Sequence, residues 1–313
     1  MTIKETQFLE RIKLAIALNR FPGYHFCGNF FGINYDEVAE AHSELSIETI
    51  SLFEDSDGQM SLLPFAISVD MGLATGVRAN LDGNTRLATV SLNLQMTGAP
   101  RVGRIEVSSR SQEFIHGIHG RQGISQARVA GPGGLLCMGT GTFMVLAPMP
   151  NMQMHPVPWF DKKPPSQVEL DMAALSQDEQ AIWDRAQRVV EESRDSTFSL
   201  IDLFFGMTPE SGPGQAYCEL ENGTHVANRV GHVQGGITLG MAIQTAKAAL
   251  DPNWVLVGVS ASYIAPGEGE TIFARSTVIH QGKMTAVVRT EVMNNHGRQV
   301  LEVMTQHSSA NLP

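Results

Sequence analysis

Asp70 is the residue of this sequence whose surroundings point most directly to chemistry. It is the only ionisable residue between Asp57 and Arg78, within an apolar run that reads as a helix. A buried, unpaired carboxylate is unfavourable by several kcal/mol unless its pKa rises, so a fold seldom keeps one without a use. Asp70 could activate water as a general base or attack a carbonyl carbon as a nucleophile. Alternatively, it lies on the exposed stripe of the helix or caps a neighbouring loop.

A second group of candidates lies in "NRVGHVQGG", Asn228 to Gly236, directly before another apolar helical run. Two adjacent glycines are poor helix formers, but the first N–H groups of a helix are unpaired and carry the positive end of its dipole. The N–H of Gly235 could therefore stabilise an oxyanion. Asn228 could bind the attacking water or hold a carboxylate in place, and Gln234 could donate a hydrogen bond without transferring protons. The competing interpretation is a turn with a loose N-cap.

The elements that would position these residues occur twice. "FFGI" at Phe30 recurs as "FFGM" at Phe204, an offset of 174 residues, and Gly58 recurs as Gly231, an offset of 173. In each half one apolar helical run follows, then four runs typical of strands. The first-half strands are predicted at 86–96, 103–115, 123–131 and 135–147, and those of the second half at 254–266, 270–281, 284–295 and 298–308. This repetition predicts an internal duplication.

The segment between the halves is rich in proline, which forbids regular structure and indicates a linker. A helix is predicted after it, with Ser176 as N-cap and Glu179 completing a capping box. We therefore predict an α+β fold of two tandem units, each a long helix wrapped by an antiparallel sheet. The predicted boundaries are 1–147 for the N-terminal domain, 148–196 for the linker and helix, and 197–313 for the C-terminal domain.

Composition limits the classes of function. Apolar residues make up 42% of the 313 residues, which favours a well-filled core. The formal charge of −10 argues against a general nucleic-acid binder, since phosphate neutralisation needs clustered basic residues. Three scattered cysteines indicate reduced thiols, and no signal sequence or membrane span is visible in the sequence. We therefore expect a cytoplasmic protein with neither nucleic-acid nor membrane partners.

The order of helix and strands, together with the glycines that open the second helix, resembles the hotdog fold. More specifically, the sequence resembles the acyl-CoA thioesterases of the phenylacetate and 4-hydroxybenzoyl-CoA type, whose pattern is Asn-x-x-Gly-x-x-His-Gly-Gly. An acidic residue follows nine positions after that His, and a Ser or Thr lies on the next strand. The second half matches the first part of this pattern from Asn228 to Gly236, with Gln234 in place of the His and Ile243 in place of the acid.

The first half supplies what the second lacks. Ser61 stands at the His position, Asp70 follows nine residues later, and Thr89 lies on the next strand. The resemblance implies that the two halves together form one complete site and one degenerate site. Thr89 could orient water, but Thr is also a common strand residue, and the strand holds one residue more before Pro100 than the family pattern.

The resemblance implies a hydrolase that cleaves an acyl-CoA thioester, in lipid or aromatic acid metabolism, as a homo-oligomer of double-hotdog chains. Coenzyme A would arrive as part of the substrate, and we expect no metal and no other cofactor. Gly236 and the basic turn residues Arg121 and Lys283 could contact the coenzyme A phosphates, although solvated turn residues are the competing interpretation. Two alternative functions stay open: an acyl-CoA hydratase or dehydratase, against which Gln234 weighs, and a non-catalytic acyl-CoA-binding protein.

Overall fold

A computed structural model of the protein describes residues 1–21, 25–81, 85–117, 120–147 and 168–310. The α-helices in these ranges are α1 (Ile3–Asn19), α2 (Phe26–Phe31), α3 (Leu62–Arg78), α4 (Gln177–Glu192), α5 (Leu200–Phe205) and α6 (Gly235–Ala248). A 3-10 turn covers Met172–Ala174. The predicted capping box of Ser176 and Glu179 opens α4. The proline-rich part of the predicted linker lies outside the described residues.

The strands of the first half are β1 (Asn34–Ala39), β2 (His42–Glu48), β3 (Arg86–Met96), β4 (Arg104–Gly117), β5 (Gly120–Gly131) and β6 (Gly134–Leu146). Those of the second half are β7 (Glu210–Gly212), β8 (Gln215–Glu221), β9 (Trp254–Tyr263), β10 (Thr271–Gln281), β11 (Thr285–Asn294) and β12 (Gln299–Ser309). The four strands predicted after each helix are all present. The hairpins β1–β2 and β7–β8, which precede the helices, were not predicted, so the expected order of a helix followed by strands is incomplete.

All the strands form one antiparallel sheet in the order β1-β2-β4-β5-β6-β3-β9-β12-β11-β10-β8-β7. The sequence of connections is the same on both sides of the central β3–β9 pair, so the sheet has an internal two-fold pattern. Hydrogen bonds join the halves where Asn93 pairs with Ser260 and Leu94 with Val259. The two halves therefore share one continuous sheet.

Helices α3 and α6 lie against each other and pack on the strands of this sheet. α3 is buried almost all round, as expected for a helix that is apolar on every face. The two helices approach each other closely because α6 has glycines at the contact. A Cβ added to Gly236 would lie 2.5 Å from the Cα of Ile67, and one added to Gly240 would lie 2.8 Å from Cδ1 of Leu63. This contact brings the middle of α3 to the N-terminus of α6.

The repeated Phe-Phe-Gly motifs also meet in the core. The rings of Phe30 and Phe204 stack with centroids 5.9 Å apart, and those of Phe31 and Phe205 with centroids 5.1 Å apart. Each motif ends a short helix at a glycine with a left-handed backbone, with φ of 66° at Gly32 and 68° at Gly206. Glycine is favoured there because it lacks a Cβ. The motif therefore turns the chain and delivers two rings to the junction between the halves.

Candidate active site

The carboxylate of Asp70 lies at the crossing of α3 and α6 with only 4% of the residue exposed. The hydroxyl of Thr89 donates to its Oδ1 at 3.1 Å, and the amide Nε2 of Gln234 donates to its Oδ2 at 2.8 Å. The backbone N–H of Gly236 is a third donor. Asp70 therefore does not lie on an exposed stripe, and the site combines residues from both halves of the chain.

Thr89 reaches Asp70 because of a bulge in β3. The register of the β3–β6 pair shifts between Thr89 and Ser91, so Val90 is an extra residue in the strand. Such a bulge turns the side chains on one side of it to the other face. With this bulge it is Thr89, not a neighbouring residue of β3, that faces the carboxylate.

Gln234 is fixed in orientation by the helix that it caps. Its Oε1 accepts the N–H of Ile237 at 2.9 Å, which leaves its amide nitrogen to face Asp70. Because a side-chain oxygen of an N-cap residue normally accepts one of the first helical N–H groups, the cap itself sets the amide orientation. Gln234 thus acts as a donor to the carboxylate, and the loose cap considered from sequence is a well-formed one.

The peptide between Gly235 and Gly236 is hydrogen-bonded through both its N–H and its carbonyl. Its N–H donates to Asp70, and its carbonyl accepts the phenol of Tyr263 at 2.9 Å. The N–H of Gly235 itself lies at the first position of α6 and donates to no protein acceptor among the described residues. A Cβ at Gly235 would lie 3.2 Å from Oδ2 of Asp70, so the carboxylate approaches this turn closely.

Tyr263 is the site residue that the sequence did not reveal. It ends β9 and reaches back to the helix N-terminus, a contact that no spacing in the sequence indicates. Burial, and then the negative charge of Asp70, raise the pKa of the Tyr263 phenol well above its usual range. The phenol therefore remains a hydrogen-bond donor at any pH at which the protein is folded.

Burial raises the pKa of Asp70 to about 6, although the hydrogen bonds from Thr89, Gly236 and Gln234 oppose that rise. Desolvation disfavours the charged form, and donors to the carboxylate favour it. The net result is a carboxyl group that titrates just below neutral pH. A group with a pKa close to the working pH is suited to general-base catalysis.

A cavity of about 390 Å³ opens beside this carboxylate. Its lining includes Asp70, Thr89, Gln234, Gly235 and Tyr263. Apolar side chains line much of the remainder, and they include Met71, Ala74, Leu87, Phe143, Val233 and Val300. Such a mixture of apolar walls and a few convergent polar groups is typical of a site for a small organic ligand.

Four other predicted site residues differ from their expected roles. Asn228 lines the cavity, but its Oδ1 accepts the N–H groups of Val230 and His232 within its own turn. The described donors to the carboxylate do not include it, because Gln234 occupies that place. The part of the prediction in which Asn228 binds the attacking water stays a prediction.

The residues expected to meet the coenzyme A phosphates lie elsewhere. Gly236 is packed on the backbone of Ile67 in the helix crossing and does not line the cavity. The guanidinium of Arg121 lies 4.8 Å from the ring centroid of Phe114, at the turn between β4 and β5, and does not line the cavity. Lys283 lies at the corresponding turn between β10 and β11, also away from the cavity lining. The cationic residues that do line it are Arg78, Arg86 and Arg229.

The described part of the chain shows neither a metal site nor a membrane-spanning helix. It contains no cluster of three His, Cys, Asp or Glu side chains arranged to hold a metal ion. In the same ranges, no helix is both long enough and apolar enough to cross a bilayer.

Residues 225–307 match the family model of the acyl-CoA thioesterase N-terminal domain. This segment contains Gln234, Gly235 and Tyr263, together with all of β9, β10 and β11. No curated protein matches the sequence.

Solved structures of similar fold extend over most of the chain. A putative oleoyl thioesterase from Lactobacillus plantarum is 10% identical with a TM-score of 0.56, and the match covers 88% of this chain and 97% of that one. The 12:0-ACP thioesterase of Umbellularia californica is 10% identical, with coverage of 85% and 94% and a TM-score of 0.52. The tesB protein of Mycobacterium avium subs paratuberculosis is 9% identical, with coverage of 88% and 95% and a TM-score of 0.52. At such identities the likeness concerns the fold.

The family match lies in the half that supplies the glycine turn, and the structural likeness includes the half that supplies Asp70. The family match confirms the predicted resemblance to the acyl-CoA thioesterases and the expected class of thioester hydrolases. The solved structures show that the fold is shared over most of the chain.

Proposed function

We propose that this protein hydrolyses an acyl-CoA thioester to the free acid and coenzyme A at the site around Asp70. The observation that carries the proposal is the buried carboxylate at the N-terminus of α6, in the wall of a largely apolar cavity. The two halves act as tandem hotdog units, and each contributes an incomplete set of groups to this single site.

In the proposed reaction Asp70 is the general base. Its carboxylate removes a proton from a water molecule as the water oxygen attacks the thioester carbonyl carbon. The carbonyl oxygen becomes an oxyanion, the C–S bond then breaks, and the departing thiolate takes the proton from Asp70. Thr89 and Gln234 hold the two carboxylate oxygens in a fixed orientation, as their hydrogen bonds of 3.1 and 2.8 Å indicate.

The N–H of Gly235 is the proposed oxyanion donor. It lines the cavity, has no protein acceptor among the described residues, and benefits from the helix dipole. One such donor typically contributes about 3 kcal/mol of transition-state stabilisation. Tyr263 supports this turn by fixing the following peptide, whose carbonyl and N–H are both occupied.

A non-catalytic acyl-CoA-binding protein is the second candidate, because the other end of the helix pair has lost its acid and Gln234 cannot transfer protons. The raised pKa of Asp70 favours catalysis over this alternative, since simple binding gains nothing from an unfavourably buried carboxylate. Association of whole chains into a homo-oligomer and a cytoplasmic location remain part of the proposal.

The test is release of free thiol from short, long and aromatic acyl-CoAs. Thiol release would support hydrolysis, and binding of acyl-CoA without release of thiol would favour the binding protein.

A single turnover in ¹⁸O-labelled water then distinguishes the two possible roles of Asp70, general base and nucleophile. A general base places the label in the acid product in the first turnover. A nucleophile instead forms an anhydride with the acyl group, and water that attacks the Asp70 carbonyl leaves ¹⁸O in its carboxyl group. Mass spectrometry of the peptide that contains Asp70 distinguishes these outcomes.

A further inference from the structure

The charge of the cavity is opposite to that of the protein. The chain carries a formal charge of −10, but three arginines line the cavity, and Asp70 is the only carboxylate residue among its described lining. Arginine recognises carboxylates and phosphates through a planar fork of N–H donors. A concentration of arginine in a concave site therefore favours a ligand with an anionic group.

Two of these arginines lie close together. Burial, and then the positive charge of Arg229, lower the pKa of Arg78 to about 10. Burial and Arg229 also lower the pKa of His25, which lines the same cavity, to about 4. The phenol of Tyr35 is near enough to influence both guanidinium groups. Both guanidinium groups can therefore act on one anionic group in the cavity.

The position of Arg78 relative to Asp70 suits a single extended substrate. Both residues are on α3, eight positions apart, and Ala74 midway between them also lines the cavity. Residues four and eight positions apart share one face of a helix, and eight positions correspond to about 12 Å along the axis. The Nη1 of Arg78 donates to the carbonyl of Thr85 at 2.7 Å, which anchors one side of its guanidinium.

We propose that Arg78 and Arg229 form an anion subsite that binds a negatively charged group of the substrate at the far end of the cavity from Asp70. This inference rests on the proposed hydrolysis and names the part of the substrate that the site selects. Two groups share the required chemistry: a carboxylate at the distal end of the acyl chain and the phosphates of coenzyme A. The experiment separates these two sources.

The test compares kcat/KM for three thioesters: octanedioyl-CoA, octanoyl-CoA and the uncharged octanoyl thioester of N-acetylcysteamine. The variant is Arg78→Gln, which removes the charge but can still donate to Thr85. Arg78→Lys restores the charge, and Lys283→Gln removes a cation from a turn outside the cavity. We expect Arg78→Gln to lose about tenfold or more on an anionic substrate and to leave the uncharged thioester unchanged.

A loss restricted to octanedioyl-CoA identifies the acyl carboxylate as the bound anion, and a loss shared with octanoyl-CoA identifies the coenzyme A phosphates. Equal changes on all three thioesters, or a similar loss in Lys283→Gln, would overturn the subsite. Calorimetric titration of coenzyme A and of octanedioate into the wild type and Arg78→Gln tests the subsite without turnover. Unchanged affinities for both ligands overturn it, whereas failure of the wild type to hydrolyse any thioester overturns only the proposed hydrolysis.

Discussion

The two ends of the α3–α6 helix pair occupy equivalent places in the repeat, but only one of them carries the residues of the proposed catalytic site. At one end Asp70 faces the glycine turn that opens α6. At the other end, 173 positions later, Ile243 stands in the place of Asp70 and is 3% exposed. Ser61, the N-cap there, makes no side-chain capping hydrogen bond, and its hydroxyl is buried without a partner among the residues that the structure describes.

The central strands β3 and β9 show the same difference between the two ends: the backbone is alike and the side chains differ. β3 and β9 each contain one extra residue, Val90 and Val257, where their register with the neighbouring strand shifts. Aligned on these bulges, Thr89 corresponds to Leu256. The backbone frame, including an irregularity, is thus retained at both ends, and the difference lies in a few side chains. Substitutions can therefore affect the stability of the fold and the chemistry of the site separately.

The largest expected effect comes from Asp70→Asn. Loss of the base should lower kcat for thioester hydrolysis by about a hundredfold or more. Asp55→Asn is the matched control, because Asp55 takes the place of Asn228 in the other half and likewise accepts two N–H groups of its own turn. Its kcat should stay close to that of the wild type. Equal losses in both variants would show that Asp70 has no special role.

Asp70→Asn should also change how the free energy of unfolding depends on pH. The pKa of Asp70 in the folded state is about 6, above its usual value of 3.8, so folding favours the protonated form. Burial of the charge therefore destabilises the wild type progressively as pH rises from about 4 to about 6, by up to about 3 kcal/mol.

Asp70→Asn removes this destabilisation, and its amide can exchange hydrogen bonds with Thr89 and Gln234. Urea unfolding at pH 8 should thus show the variant to be more stable than the wild type, with little difference at pH 4. A variant less stable than the wild type at pH 8 would contradict this account.

The helix crossing can be tested at two glycines of α6, Gly236 and Gly240. An added methyl at Gly236 would meet the backbone of Ile67 at 2.5 Å and the carbonyl oxygen of Ala66 at 3.0 Å. At Gly240 the closest atom is the flexible Cδ1 of Leu63. Because backbone cannot move aside as a side chain can, we expect Gly236→Ala to destabilise by about 2–3 kcal/mol and Gly240→Ala by about 1 kcal/mol. Chemical denaturation measures both, and the reverse order would contradict the prediction.

The smallest effect is expected from Tyr263→Phe. When β3 and β9 are aligned on their bulges, Met96 is the residue equivalent to Tyr263. Only the end of the helix pair that carries Asp70 therefore has this hydroxyl. Without it the Gly235 carbonyl loses a donor, the adjoining N–H becomes a weaker donor to Asp70, and the pKa of Asp70 should rise further above 6. We expect a several-fold decrease in kcat near pH 6.

The pH profile of kcat provides the readout. In the wild type, kcat should rise with pH to a plateau above about pH 6, as Asp70 loses its proton. In Tyr263→Phe the midpoint should lie at higher pH, and in the control Tyr217→Phe, on β8, it should not move. An unchanged midpoint in Tyr263→Phe would remove Tyr263 from the site.

Much of this architecture follows from local sequence. The strand β3 was predicted from Arg86 to Met96, as the structure has it, because alternation is strong there. The pairing of Asp70 with the Gln234 turn followed from the complementary halves. The hairpins before the helices were missed, since no residue of β1 is buried, β2 has only two large apolar residues, Leu45 and Ile47, and the three residues of β7 are all exposed.

What could not be predicted depends on contacts between distant residues. Tyr263 lies 28 positions from Gly235, and only the course of β9 brings them together. Arg78 and Arg229 belong to different halves, and nothing in their spacing shows that they line one cavity. Arg121 and Lys283 were chosen as basic residues after glycines at equivalent predicted turns, and such a position gives no direction in space.

The stacked Phe-Phe-Gly motifs have a consequence for how the chain folds. Their rings come from positions 174 residues apart and are buried against each other, so neither half can complete its own core. Contacts of such separation form late and slowly, because a long loop must close before they are made. The halves should consequently melt together in one cooperative transition, and a fragment released by cleavage between them would expose aromatic surface and aggregate.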